Sequence, residues 1–436
     1  MTNNEIQKYI WQDFSSRKLI AFAAVSLIIF ISLLNLDKNN TNLALSFTSL
    51  AFFVSTVAIA SLSAMNSIFD EINDHTWNSI RLSPVSPWQL TFGKLIGSTL
   101  FCYYVGFFAI SAHYYFLIKT TSDPLYSLVI IFRLFLCAAF ANALSLLMAS
   151  LTLFSNNKNK KVRSNILYLI CLGFSLILYN SLGFDHKIKQ LNWYGFDFAD
   201  TEFLTASVAI FFLWSIFATY RILKQNLMYP VTPIAWTSFV IFIIFYLCGF
   251  IDVNDYKNFD QLLLAFLTSI TFTYIAAFCE KINIAKVKIL IAAIKSKNLN
   301  KIFQSTAKWI PTLIISLFLL LFSIFCDIQK NTSLIAFEVF IFLLRDLAII
   351  HFFRFFYQDK KSSFSILFCF ITIYAIIPIF FLSLKLEFIA QLFLPILGEI
   401  DFTKLSFLLI QSAIAMFLAF KSYKKLSNNS GFDTVS

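Results

Sequence analysis

Apolar runs of bilayer-crossing length recur from near the start of this chain to near its end, and nothing else in the sequence constrains the fold as tightly. A helix needs about 18 or more apolar residues to traverse roughly 30 Å of hydrocarbon. Runs of this kind fall at about 19–35, 43–65, 95–117, 127–154, 165–182 and 204–220, and again at about 235–250, 261–279, 309–326, 334–352, 363–384 and 402–420. Backbone polar groups in lipid must be satisfied internally, which leaves helices or a closed barrel. A barrel would need short segments of alternating polarity, and these runs are continuous. The expectation is an all-α polytopic membrane protein with about twelve transmembrane helices. Composition agrees: 59% of the 436 residues are hydrophobic and 13% charged, against about 25% charged in soluble domains.

The net charge of +11 would raise nucleic acid in a soluble protein. Here the basic residues lie mostly in short loops, where they set topology. Lys8, Arg17 and Lys18 precede the first run; Lys158, Lys160, Lys161 and Arg163 follow the fourth; Arg221 and Lys224 follow the sixth; Lys421, Lys424 and Lys425 follow the last. All but nine of the 34 Lys and Arg fall on this one side or at the adjoining ends of runs. Both termini are therefore expected in the cytoplasm, with an even number of spans. The first run is too long for a removed signal peptide and lacks a small-residue cleavage site. Abundant Lys, Asn, Ile and Phe read as the bias of a bacterial genome, and the setting as a bacterial inner membrane crossed many times. The seven Cys are scattered without a CxxC pair, and the four His are far apart, so neither disulfides nor a metal site is expected.

Pro230 and Pro233 discourage a continuous helix between the sixth and seventh runs. The expected organisation is a six-helix half at 1–225, a linker at 226–234, a second half at 235–422, and a polar, disordered tail at 423–436. Each half carries a polar insert after its second run, and Glu71 and Glu280 occupy comparable places in the two. The second insert, 280–308, holds seven Lys, and its Ile284, Val287, Ile291 and Ile294 recur at helical spacing, which predicts an amphipathic interfacial helix. Residues 183–203 and 385–401 are each expected to form a short interfacial or re-entrant segment, helical in the first case.

The first insert is the richest in signal. In 67–94, Ile68, Ile72, Trp77 and Ile80 give a partly apolar face, and Asp70, Glu71, Asp74 and Arg81 add charge. Ser83-Pro84 and Ser86-Pro87 break any single helix there, and Trp88, Leu90 and Phe92 lead back towards lipid. An interfacial hairpin that only fixes helix register accounts for this pattern. The run Glu71 to Gly97, EINDHTWNSIRLSPVSPWQLTFGKLIG, also resembles the loop after the second membrane helix of ABC-2-type transporter permeases. The matching residues are Glu71, Arg81, Leu82-Ser83-Pro84, Ser86, Leu90, Gly93 and Lys94; His75-Thr76-Trp77 departs from the usual Gly-Thr of the family. In that family this region lies against the nucleotide-binding subunit and includes the coupling helix. The resemblance implies two six-helix ABC-2-like halves, the second divergent. It makes Glu71, Trp77, Arg81, Ser83, Pro84, Gly93, Lys94 and, in the second half, Glu280 candidates for coupling ATP hydrolysis to helix movement.

No GxxxxGK[ST] loop is present and no soluble stretch is long enough for a nucleotide-binding domain, so ATP and Mg would belong to a separate cytoplasmic ABC ATPase, in two copies. A second permease chain could pair with this one, and membrane lipid is the remaining partner; no nucleic acid is expected. There is no HExxH or GxSxG signature and no catalytic, cofactor or metal residue is assigned in the chain. Arg345 and Asp346 stand together inside the tenth run, as an intramembrane charge pair that serves either as a structural latch or as part of a translocation route. The reading is a permease subunit of an ATP-driven exporter. A secondary transporter without ATPase, and a membrane-embedded structural subunit or enzyme, are the alternatives.

Overall fold

The computed structural model describes residues 3–37, 41–153, 160–183, 190–251, 259–280, 284–325, 330–357, 361–395 and 402–429. The chain divides into two compact units, Met1–Leu191 with Asp197–Val231, and Asn192–Phe196 with Thr232–Ser436.

The first unit opens with α1 (Asn4–Asp13) and α2 (Ser16–Asp37). Next come α3 (Thr41–Phe52), a π-helical stretch Phe53–Ile59 and α4 (Ala60–Asn73), one 33-residue span in all. Two short helices follow, α5 (Trp77–Leu82) and α6 (Pro87–Phe92), then a second π stretch Gly93–Gly97. Three long helices, α7 (Leu100–Thr121), α8 (Pro124–Thr152) and α9 (Lys160–Gly183), lead to a hairpin of β1 (Gln190–Trp193) and β2 (Phe196–Ala199) and to α10 (Asp200–Asn226). The α7–α8 turn is dictated locally. Ser122 is left-handed, Asp123 accepts from the N–H groups of Leu125 and Tyr126, and Pro124 takes the first helical position, where its missing N–H costs nothing. The π stretch in the second span leaves carbonyls off the regular ladder, and neighbours take them up. Asn142 Nδ2 donates to Thr56 O at 3.3 Å and to Tyr103 Oη at 2.8 Å, and Tyr168 Oη donates to Ala58 O at 3.1 Å. Gly106 lets α7 close on the same stretch: a Cβ there would lie 2.2 Å from Thr56 Cγ2. Small residues at such crossings are how helices pack without a hydrophobic drive between them.

The second unit runs through α11 (Ile234–Cys248), α12 (Phe259–Cys279), α13 (Ile284–Lys295), α14 (Leu299–Ser305), α15 (Trp309–Phe325), α16 (Lys330–Tyr357) and α17 (Lys361–Ile371). A third π stretch Thr372–Ile376, α18 (Ile377–Ser383), α19 (Glu387–Gln391) and α20 (Phe402–Asn429) complete it. Pro378 sits at the start of α18, so the ladder defect falls where proline removes a donor.

The two units use one order of packing. In the first, α3 packs on α2 and α7, and α8 on α4, α9 and α10; in the second, α12 packs on α11 and α15, and α16 on α12, α17 and α20.

The chain is thus a predominantly helical, multi-pass membrane protein. Among the described residues nine helices are long and apolar enough to cross a membrane, or ten if α14 and α15, bent by 99°, form one span. The 15 residues of α11 are short for a span, and Glu338, Arg345, Asp346 and Arg354 interrupt the apolar length of α16.

Two expectations are corrected. Within 183–203 the described residues 190–199 form a hairpin in place of a helix, because Tyr194 and Gly195 both take positive φ, the requirement of a tight hairpin turn. Its tip is held by α11: Trp193 Nε1 donates to Tyr246 O at 3.1 Å, Tyr194 Oη to Phe245 O at 2.8 Å and Tyr194 N to Gly249 O at 2.8 Å. These bonds cap carbonyls that a helix end leaves unpaired. The tail expected at 423–436 is helical as far as Asn429, since Tyr423 packs on Phe355 and Ser427 O accepts from Lys288 Nζ at 3.5 Å. Lys158 of the basic cluster, Lys281 and residues 430–436 lie outside the described residues.

Candidate functional site

The polar insert of the first unit folds into a compact joint around one buried ion pair. α4 ends at Asn73, His75 turns the chain with φ 58°, and Thr76 Oγ1 donates to Glu71 O at 3.2 Å. α5 then runs to Leu82, where Ser83 Oγ donates to Ile80 O at 2.7 Å and Ser83-Pro84 carries the chain out in extended form. Ser86 opens α6 with a reciprocal cap: its Oγ accepts from Gln89 N at 3.2 Å, and Gln89 Oε1 accepts from Ser86 N at 3.3 Å, with Pro87 at the first helical position. Such a capping box fixes a helix start within a few residues. Trp77, Ile80 and Val85 pack with the buried Leu90, Leu223 and Leu227, and Trp88 stacks on Tyr220 at 4.0 Å. Both short helices are thereby seated on the end of α10.

Lys94 enters from the second π stretch and is fully buried. Its Nζ donates to Glu71 Oε2 and, at 2.8 Å, to Ser67 O, and lies 6.0 Å from the centre of the Trp77 ring. Burial pulls the Lys94 ammonium below its usual range, and the Glu71 carboxylate opposes that. The other oxygen of Glu71 meets Lys8 Nζ of α1 at 3.3 Å. One carboxylate thus ties three segments together: the end of the second long helix, the approach to α7, and α1.

Glycine makes room for α1. A Cβ on Gly93 would lie 2.4 Å from Glu5 Cβ, and one on Gly97 2.5 Å from Tyr9 Cδ2. Asn3 fixes the near end of α1, its Nδ2 donating to Gln89 O at 2.8 Å and its Oδ1 accepting from Glu5 N at 3.1 Å. Burial, with the Glu71 and Glu5 carboxylates, pushes the Tyr9 hydroxyl well above its usual range. Facing away from the joint, Leu82 is 88% exposed, beside exposed Asp74, Asn78 and Pro84.

The second unit holds its insert differently. Glu280, just past α12, accepts from Lys308 N at 2.6 Å through Oε2, its carbonyl accepts from Arg354 Nη1, and Arg354 Nη2 donates to Phe278 O at 2.8 Å. Burial raises the Glu280 carboxyl, and the Lys308 N–H and nearby cations counter this. Glu71 and Glu280 each reach the chain just before the next long helix, one through a lysine ammonium and the other through a lysine backbone N–H.

A second polar cluster lies inside this unit. Asp346 accepts from Tyr274 Oη at 2.9 Å and Tyr374 Oη at 2.5 Å through Oδ2, and from Arg345 Nε at 3.1 Å through Oδ1. Arg345 Nη1 donates to Gln411 Oε1 at 2.9 Å, and the guanidinium stacks over Phe342 at 4.6 Å. Two turns earlier on α16, buried Glu338 meets buried Lys404 of α20 at 2.7 Å.

No family model, curated protein or solved structure matches this chain.

Of the residues singled out in sequence, the structure gathers Glu71, Trp77, Gly93 and Lys94 into one joint. Arg81, Ser83 and Pro84 lie on α5 and the turn that follows it. Glu280 belongs to the other unit, and Arg345 and Asp346 form a buried pair at 3.0 Å. Sequence reasoning missed Asn3, Glu5, Lys8 and Tyr9; the spacing of Gly93 and Gly97, one turn apart, was the available sign that another helix passes there. It also missed Glu338, Lys404, Tyr274, Tyr374 and Gln411, which carry no local signature. Among the described residues no group of His, Cys, Asp and Glu is placed to hold a metal ion.

Proposed function

We propose that the chain is the membrane-spanning permease subunit of an ATP-driven exporter of the ABC-2 type, working with two copies of a separate cytoplasmic ABC ATPase in a bacterial inner membrane. The observation that carries this reading is the joint itself. α5, with Leu82 exposed, packs on the end of α10 and sets Trp77 6.0 Å from Lys94 Nζ, beside the Glu71–Lys94 pair that ties the second long helix of the unit to the approach to the third. A push on α5 passes to both helices through groups that have little freedom to yield. The repeated packing order of the two units supports a permease built from two six-helix halves, about twelve spans in total, and the skew of Lys and Arg supports a cytoplasmic Glu71 end and cytoplasmic termini. Glu280 occupies the corresponding place in the second half and is braced by backbone contacts.

The test is Leu82→Cys in the complex purified from its native membrane, with a short thiol-directed cross-linker. The expected product joins this chain to a subunit with a phosphate-binding loop, and Leu82→Glu lowers substrate-stimulated ATP hydrolysis without shifting the unfolding midpoint. Full transport by the isolated chain in vesicles free of any ATPase overturns the reading.

The buried charges of α16 and α20 favour one second reading, a secondary transporter in which that cluster couples an ion to substrate. Transport driven by an ion gradient, independent of ATP, distinguishes it.

A further inference from the structure

The insert of the second unit ends in a short amphipathic helix whose apolar side is uncovered. In α14, Leu299 and Phe303 fall four residues apart on one side with Ile302 beside them, and Asn300, Lys301 and Gln304 fall on the other. Leu299 is 67% and Phe303 50% exposed, so no described part of the chain covers that side. Both ends of the helix are fixed. Asn298 Oδ1 accepts from Lys301 N at 3.2 Å at its start, and Glu280 Oε2 holds Lys308 N just past its end. Set in this way, α14 stands at 99° to α15.

That angle determines what the uncovered side meets. α15 is 17 residues without a charge, about 26 Å of helix and close to the depth of the hydrocarbon. Spanning helices tilt from the bilayer normal by about 20° on average, so a helix at a right angle to the end of one lies along the membrane surface. Leu and Phe on one side of such a helix reach the acyl boundary, while lysine stems carry their ammonium groups back to the headgroups. Charge then decides which lipid fits. No acid occurs between Glu280 and Asp327. Lys295, Lys297 and Lys301 are exposed around the α13–α14 turn, and among the described residues none of the three is in an ion pair. Lys297 has a φ of 53°, the left-handed conformation that glycine takes without strain just past a helix end, so a cation stands there at a local cost.

We infer that α14 and the turn before it dock on anionic phospholipid, with Leu299 and Phe303 in the acyl boundary and Lys295, Lys297 and Lys301 on the headgroup phosphates. The inference does not depend on the ATPase reading, since the surface lies wholly within one unit and its test involves neither ATP nor transport.

The probe is phosphatidylglycerol bearing a diazirine at the carbonyl end of one acyl chain, present in trace in phosphatidylcholine nanodiscs that hold the full chain, with attachment mapped by peptide mass spectrometry. Labelling is expected on the segment around 299–303, displaced by unlabelled phosphatidylglycerol and weakened by salt. Each of Lys295→Gln, Lys297→Gln and Lys301→Gln should lower it about fivefold, the worth of one lysine at an anionic membrane surface. Lys297→Gly separates charge from folding: it should lower labelling as much while holding or raising the unfolding midpoint, because glycine suits the backbone there. Equal labelling by the matching phosphatidylcholine probe, or unchanged labelling when all three lysines are replaced by glutamine, overturns the inference. So does displacement by soluble glycerol phosphate as strong as by phosphatidylglycerol, which would make the lysines a site for a free anion. Absence of lipid labelling, with Phe303→Cys open to a membrane-impermeant maleimide, overturns it as well and would place this side of α14 away from the bilayer.

Discussion

Removing one partner from the Glu71–Lys94 pair should be far costlier than removing both, and the two single removals should differ. Breaking a buried ion pair typically costs about 3–5 kcal/mol because the remaining charge is stranded, while replacing the whole pair with apolar groups is often neutral. The surroundings of this pair are unequal. Glu71→Gln leaves Lys94 fully buried with Ser67 O as its hydrogen-bond acceptor at 2.8 Å. Lys94→Met leaves Glu71 with Lys8 at 3.3 Å, and Lys8 is half-exposed and free to follow it. Glu71→Gln should therefore fall at the upper end of that range and Lys94→Met below it. The double variant should recover most of the loss, so the two single losses together should exceed its cost by about 3 kcal/mol or more, at or beyond the upper end for residues in direct contact. At roughly 2–4 °C per kcal/mol for a unit of this size, Glu71→Gln should lower the unfolding midpoint by about 10–20 °C. A thiol-reactive dye reads the transition directly, because Cys102, Cys137 and Cys171 are buried in the same unit. Equal losses in the two single variants, or additive losses in the double one, would refute the stranded-charge argument.

Gly97→Ala should displace α1, since its methyl would meet the Tyr9 ring at 2.5 Å; overpacking of this sort costs about 1–3 kcal/mol, and a cysteine placed at the half-buried Gln7, which leaves the Tyr9 ring in place, should become faster to alkylate. Glu280→Gln should raise the unfolding midpoint at pH 8 and lose that advantage at low pH. The Glu280 carboxyl is raised in the folded protein, so its ionisation disfavours folding more as pH climbs from the ordinary carboxylate range through the raised value, and is without effect below both. Scanning fluorimetry of both proteins across pH 4–8 checks the sign.

The long helices were legible because bilayer length and apolar composition leave little choice of structure. The break at Ser83-Pro84 and Ser86-Pro87 was legible for the same local reason, since proline chemistry acts within a few residues. What escaped was set by distance along the chain or by competing signals. Gly93 and Gly97 are glycines because of Glu5 and Tyr9, which lie 88 residues earlier in each case. Tyr194-Gly195 was read within an aromatic interfacial segment; its turn chemistry, flanked by Trp193 and Phe196, outweighed the aromatic pattern. Arg345 and Asp346 could be noticed as neighbours, but the hydroxyls and amide that satisfy them come from α12, the third π stretch and α20, and only packing brings those together.

The π stretch at Phe53–Ile59 also sets the facing of Glu71. A π stretch holds one more residue than the α-helical turn it replaces, and each residue of an α-helix advances by about 100° around its axis. Straightening Phe53–Ile59 into plain α-helix without losing a residue, with the upper half of the span still keyed to α7 through Gly106, would rotate everything below by about a quarter-turn and carry Glu71 off the face that meets Lys94. Deleting one residue from the stretch at the same time would restore the facing. The defect works as a phase-setter: it is the spacing in the middle of the helix that brings the charge at its end into line.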